Sequence, residues 1–159
     1  MQRLRGRAPR GERVIGTVPF GRWKTTTLIA ALDLSGVRCS TLVDGAVNGD
    51  AFSSFCGQVL CPQLREGDLV VMDNLGSHKG QAARDLVEGV GAKPAFLPPC
   101  SPDLNPIELA FSKLKQLWRS LAARTVDALW SSTQPLLDRI TAGDAAGFFK
   151  HCGYTLRAN

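Results

Sequence analysis

Four apolar residues in a row, Leu69-Val70-Val71-Met72, stand between Gly67-Asp68 and Asp73-Asn74. A run this short, bounded by turn-forming residues, predicts a strand, and its lack of alternation predicts one buried on both faces. Such a strand needs helices above and below it, so the run points to an α/β fold. The chain has 159 residues, about the size of one domain. Asp73 then lies at the C-terminal end of a buried strand, where ligand and catalytic groups collect in open α/β sheets.

The flanking sequence supplies the other elements. Residues 1–12 are rich in Arg, Gly and Pro and read as an extended basic arm. The Thr- and aliphatic-rich run from Trp23 to Leu34, the turn at Ser35-Gly36 and the alternation from Val37 to Val43 predict a β-hairpin. Asn48 is placed to cap a helix over 49–60, with Phe52, Phe55, Cys56, Val59 and Leu60 on one face. Residues 79–88 read as a helix and 94–97 as a strand.

The Pro-rich stretch 97–106 resists regular structure and leads into Asn105-Pro106-Ile107-Glu108, a strong helix start. Asn105 suits the N-cap, Pro106 the first turn, and Glu108 the acidic position of a capping box. Ile107, Phe111, Leu114, Trp118 and Leu121 form the predicted buried stripe of that helix. A further helix is expected after Thr125, with Val126, Leu129, Trp130 and Leu137 inward and a kink at Pro135, and a last one over 143–151.

Asp73 and Glu108 are separated by 34 residues, enough for one helix, one strand and one loop. That path can return the two carboxylates to one sheet edge. Converging carboxylates without matching cations repel each other, and a hard divalent cation such as Mg²⁺ relieves the repulsion and adds Lewis acidity. Taken singly, Glu108 reads as a capping-box residue, Asp73-Asn74 as a turn, and His78 as a loop histidine.

Charge is unevenly placed. Residues 1–30 hold seven basic side chains, Arg3, Arg5 and Arg7 among them, against the single acid Glu12. Such an arm suits either phosphate neutralisation on nucleic acid or a solvated terminus. The five cysteines form no C-x-x-C pair, which argues against a zinc site or disulfide framework and for buried free thiols. No signal-peptide core and no membrane-length apolar run occur, so the expectation is a soluble cytoplasmic protein.

The segments LVVMDNLGSHKG (69–80) and FLPPCSPDLNPIELAFSKLK (96–115) closely resemble the DDE transposases of bacterial insertion sequences in the mariner-related superfamily. The resemblance extends through RGRAPRGERV (5–14), GRWKTTTLIAAL (21–32), DGAVNGDAF (44–52) and ARTVDALW (123–130), nearly the whole chain. Cys100 stands where that family usually has Tyr. The resemblance implies a ribonuclease-H-like mixed sheet with flanking helices, with residues 1–159 as the catalytic domain. In the family, the first catalytic Asp lies on a strand upstream of the Arg-Gly-x-Ala-Pro-Arg-Gly segment, so that first strand and its Asp are expected to be missing here. The chain is then expected to be a downstream piece of a longer frame.

The implied chemistry is DNA cleavage and strand transfer by two Mg²⁺ or Mn²⁺ ions about 3.5–4 Å apart. Asp73 and Glu108 would be metal ligands, and the missing Asp would bridge the ions. Asn74, His78 and Asn105 would orient ligands or position DNA, and Lys115 and Arg119, near Glu108's helical face, would hold phosphate. Implied partners are double-stranded DNA (the element's terminal inverted repeats and its target), an upstream transposase segment with a helix-turn-helix and the first Asp, and a second copy in a homodimer; no membrane is implied. The protein would be nucleoid-associated when bound to DNA. Asp33 and Asp44 remain candidates for the missing ligand, although Asp33 aligns with the second family strand. The alternative is a non-catalytic DNA-binding remnant; a small-molecule α/β enzyme has only the Asp-tipped strand in its favour.

Overall fold

The structure, a computed structural model, describes residues 7–13, 15, 25–123 and 125–155. Arg3, Arg5 and the Trp23-Lys24 start of the expected hairpin lie outside these residues. β1 (Thr26–Asp33) and β2 (Gly36–Asp44) form an antiparallel hairpin in register from Thr26↔Asp44 to Asp33↔Gly36, with an irregularity between Ala31 and Leu32. Its turn is held by the Ser35 amide, which donates to Asp33 Oδ1 at 2.8 Å. Gly36 has a φ of 126°, and a Cβ there would lie 2.7 Å from the Ile140 carbonyl oxygen, so only glycine lets the turn dock this closely.

α1 (Gly49–Phe55) starts where expected, with Asn48 accepting from the Ala51 amide at 2.9 Å. The chain continues through a wider π turn at Cys56–Leu60 and a 3₁₀ turn at Cys61–Gln63. β3 (Leu69–Met72) pairs in parallel with β4 (Lys93–Phe96), joined through α2 (Gln81–Gly89). Three helices follow: α3 (Pro106–Leu121), α4 (Val126–Leu137) and α5 (Ala142–His151).

The hairpin divides the core by strand alternation. Ile29, Ala31 and Cys39 pack with Phe52, Phe55, Cys56, Leu60 and Met72. Leu28, Leu32 and Val37 pack against Ala110, Leu114, Trp118, Leu136, Leu137 and Ile140. Helices therefore cover both faces of the hairpin. Lys113 Nζ lies 2.6 Å from Asp144 Oδ2, tying α3 to the capping box of Thr141 and Asp144 that starts α5.

Several expectations change. β3 is not buried on both faces: Leu69 is 63% and Val71 40% exposed. Its cause is the topology. Among the described residues, β1–β2 and β3–β4 are two separate two-stranded sheets, so β3 bonds to β4 alone and its other edge has no neighbouring described strand. The buried stripe of α3 is Ala110, Leu114 and Trp118, whereas Leu121 is exposed and Ile107 and Phe111 are half-buried. On α4, Val126 and Trp130 are exposed and Leu136 is buried instead. The Trp130 indole N–H donates to Thr26 Oγ1 at 3.4 Å, a polar tether at the surface. α4 runs unbroken through Pro135, which falls in its last turn, where the missing amide costs one bond and only two residues follow. Cys100 is exposed, with a φ of 55°, Cys39 is half-buried, and the other three cysteines are buried; all five are free thiols.

Candidate functional site

A cleft of about 660 Å³ opens between β1 and β3. Its walls are the residues from Thr27 to Asp33 and from Asp68 to Asp73. Phe52, Phe55 and Leu60 line it from the α1 side, and Ile107, Phe111 and Phe149 from α3 and α5. Asp73, His78, Asn105 and Glu108 all border this cleft. Asn74, Lys115 and Arg119 do not, and Asp44 and Asp50 are also absent from its walls.

Two elements deliver the acids. Asp73 follows the last residue of β3. The Leu97 amide donates to the Met72 carbonyl at 2.8 Å, so parallel β4 exits at the same end and sends the chain into the approach to α3. Glu108 lies in the first turn of α3 and is exposed. Asn105 occupies the expected N-cap position, but its side chain makes no capping bond, so the expected capping box is not made. Asn105 instead borders the cleft, and Glu108 is left free of a capping role. The Tyr154 hydroxyl donates to the Leu104 carbonyl at 2.9 Å and steadies this approach. Nothing in the spacing of the sequence signalled that bond.

His78 Nδ1 lies 2.5 Å from Asp73 Oδ1, and the Leu75 amide donates to the same oxygen at 3.2 Å. The imidazole sits against the Phe52 ring, 4.1 Å between centroids, which fixes the plane from which it meets the carboxylate. The short 3₁₀ turn Gly76–Lys79 presents it.

The opposite end of the cleft holds Asp33 and Asp68. Arg38 donates to Asp33 Oδ2 at 2.7 Å and to the Gln63 carbonyl at 2.7 Å. Its bond to Asp33 pushes the guanidinium further up, with burial opposing and a smaller contribution from Asp68. Burial pushes the Asp33 carboxyl up, but bonds from Ser35 and Arg38 outweigh it and hold the group below the ordinary carboxylate range. Asp33 thus sits beside the start of β3, and the five residue steps from Asp68 to Asp73 span about 16 Å. It is paired and at the wrong end to join Asp73 and Glu108.

Carboxylate oxygens are donors that suit Mg²⁺ or Mn²⁺. Asp73 and Glu108 carry donors of that kind. Among the described residues, no three of His, Cys, Asp or Glu stand close enough to hold a metal. The remaining residues include none of these types. No helix among the described residues is long and apolar enough to cross a membrane.

The catalytic domain of Mos1 mariner transposase matches 85% of this chain and 71% of its own, at 19% identity and a TM-score of 0.61. The same domain with raltegravir and Mg matches at 24% identity and a TM-score of 0.55, covering 85% of this chain and 72% of its own. The Mos1 transposase paired-end complex with the left transposon end matches 95% of this chain at 20% identity and a TM-score of 0.69. This chain spans 46% of that longer protein. These likenesses establish the ribonuclease-H-like α/β fold. No curated protein matches the chain in sequence. The family model of the DDE superfamily endonucleases matches residues 1–130, and the chain belongs to that family.

Proposed function

We propose that the Asp73–Glu108 end of the cleft is the catalytic end of a domain for metal-dependent DNA cleavage and strand transfer. One observation carries this reading. Two carboxylates border the cleft, Asp73 at the exit of a parallel β pair and Glu108 in the first turn of α3, and Arg38, beside Asp33, is the sole Arg or Lys among the described cleft residues. An external cation is the natural complement of such a pair. A divalent ion bound there supplies Lewis acidity toward a phosphodiester oxygen. His78 holds one oxygen of Asp73, leaving the other to face the ligand, as partners of metal-binding carboxylates commonly do. Asn74 and Asn105 flank the same approach and position DNA.

Lys115 and Arg119 lie seven and eleven residues after Glu108, on its helical face, and reach phosphate beyond the cleft. Arg7 is exposed and extends this contact with Arg3 and Arg5 of the arm. The transposon end bound to Mos1 supports duplex DNA as the partner. With two carboxylates at hand, the chain supplies part of a two-ion site, and a carboxylate from an upstream segment completes it.

The test is supercoiled DNA incubated with the chain and Mg²⁺ or Mn²⁺. The expected result is DNA binding that the ion strengthens through Asp73 and Glu108, with the backbone left intact. Cleavage lost in Asp73→Asn would overturn the incompleteness while keeping the site. Cleavage that persists in Asp73→Asn would overturn the site. Binding that depends on salt but not on the divalent ion would favour the DNA-binding remnant.

A further inference from the structure

Arg84 is the fourth residue of α2 and is half-buried. Its guanidinium carbon stands 4.6 Å from the centroid of the Phe96 ring. Stacking of this kind holds a guanidinium by one face and leaves its N–H edge available. The Nε atom is enclosed and has no hydrogen-bond partner. Among the described residues Arg84 makes no ion pair either, although Glu88 lies four positions on, a spacing that favours one. The adjacent acid, Asp85, accepts instead from Gln81 Nε2 at 2.7 Å. The cation is therefore placed by an aromatic ring and neutralised by no described side chain.

The location of that ring gives the cation a direction. Phe96 ends β4 and is the register partner of Met72, the residue before Asp73. α2 begins after the exit of β3, and helical side chains lean toward the helix N-terminus, so Arg84 reaches back to the end of the sheet where Asp73 stands. Neither Arg84 nor Phe96 borders the cleft. The guanidinium thus sits one strand over from the Asp73 end, beyond the rim of the cleft.

We propose that Arg84, seated on Phe96, is a phosphate clamp that grips a DNA strand where it leaves the Asp73–Glu108 end and crosses the end of β4. Enclosure of Nε leaves the two terminal nitrogens to make the grip, and a pair of parallel N–H groups matches two oxygens of one phosphodiester. An anion that reaches both the Asp73 end and Arg84 must continue past the cleft, as a polynucleotide does and a single phosphate does not. The clamp rests on the reading of DNA as the substrate, and it adds the path of the strand on one side of the reacting centre.

The test measures binding of the full chain to a labelled duplex of about 20 base pairs, with KCl varied from about 50 to 200 mM. Arg84→Gln should weaken binding at least threefold at the lowest salt and flatten the slope of log affinity against log salt by about 0.9, the loss of one phosphate contact. Arg84→Lys should keep the slope and recover only part of the affinity, because an ammonium neither stacks as a plane nor forks. Phe96→Leu should remove most of the difference between Arg and Lys at position 84, and circular dichroism checks that each variant is folded. If Phe96→Leu does not fold, the two Arg84 variants decide alone. An unchanged slope and affinity in Arg84→Gln, or a lowered melting temperature with DNA binding unchanged, would make Arg84 a cover for the core and overturn the clamp. Inorganic phosphate at millimolar concentration that competes with the duplex in wild type but not in Arg84→Gln would assign a free-anion site and overturn the strand path. Asp73→Asn, measured with and without Mg²⁺, separates the two readings. Loss of the Mg²⁺ gain in Asp73→Asn with no effect of Arg84→Gln would keep the catalytic end and overturn the clamp; the reverse pattern would keep the clamp and overturn the catalytic end.

Discussion

At the end of the cleft where β3 begins, Asp33 and Asp68 lie by Arg38; where β3 finishes, Asp73 is bonded by His78 and the Leu75 amide, and Glu108 borders the cleft from the start of α3. The first end is closed by the protein's own cation and by bonds to Ser35 and the Gln63 carbonyl. The second is placed by packing. α3 carries Glu108 and is seated through Ala110, Leu114 and Trp118 against the hairpin. The contrast separates two kinds of acidic pair that look alike in sequence. Acids neutralised from within serve the fold, and acids left without a cation invite a ligand.

The largest effect should come from the packing that seats the open end. Leu114 is fully buried, so Leu114→Ala should cost about 2–5 kcal/mol in denaturant unfolding. A loss under about 1 kcal/mol would mean that α3 is not what places Glu108. At the closed end the effect should be smaller, because the Arg38 and Asp33 side chains are 32% and 33% exposed. Arg38→Ala should cost about 0.5–1 kcal/mol near neutral pH. The sign with pH follows from Asp33, whose folded value lies below its ordinary one. The stability it lends is present above the ordinary Asp range and is lost as pH falls through the lowered folded value. The difference between wild type and Arg38→Ala should therefore shrink in acid. A difference that grows in acid would mean that the pair does not hold Asp33 ionised.

Local signals made the frame of the site readable. Asn48 before a helical run, Ser35-Gly36 between strands, the apolar run ending at Asp73 and Asn105-Pro106 before Glu108 each act within a few residues, and the elements after the hairpin's first strand start within a residue or two of their expected places. What was not readable depends on neighbours distant in sequence. The exposure of Leu69 and Val71 follows from an edge with no neighbouring strand among the described residues, which apolar content does not reveal. Ile107 and Phe111 keep helical spacing with Leu114, but the hairpin meets α3 along Ala110, Leu114 and Trp118, so those two border the cleft. The grouping of four acids into two ends depends on Arg38, whose bonds span the hairpin turn and reach Gln63. Asn105 is the N-cap as expected, but its side chain borders the cleft and makes no capping bond.

The contrast between the ends is tested most directly by titrating Mn²⁺ into the chain and four variants, with affinity read by calorimetry. Asp73→Asn and Glu108→Gln should each weaken binding at least tenfold, while Asp33→Asn and Asp68→Asn should leave it within about twofold. Equal losses from both pairs, or a loss confined to Asp33 and Asp68, would contradict the assignment of the open end as the metal-binding end.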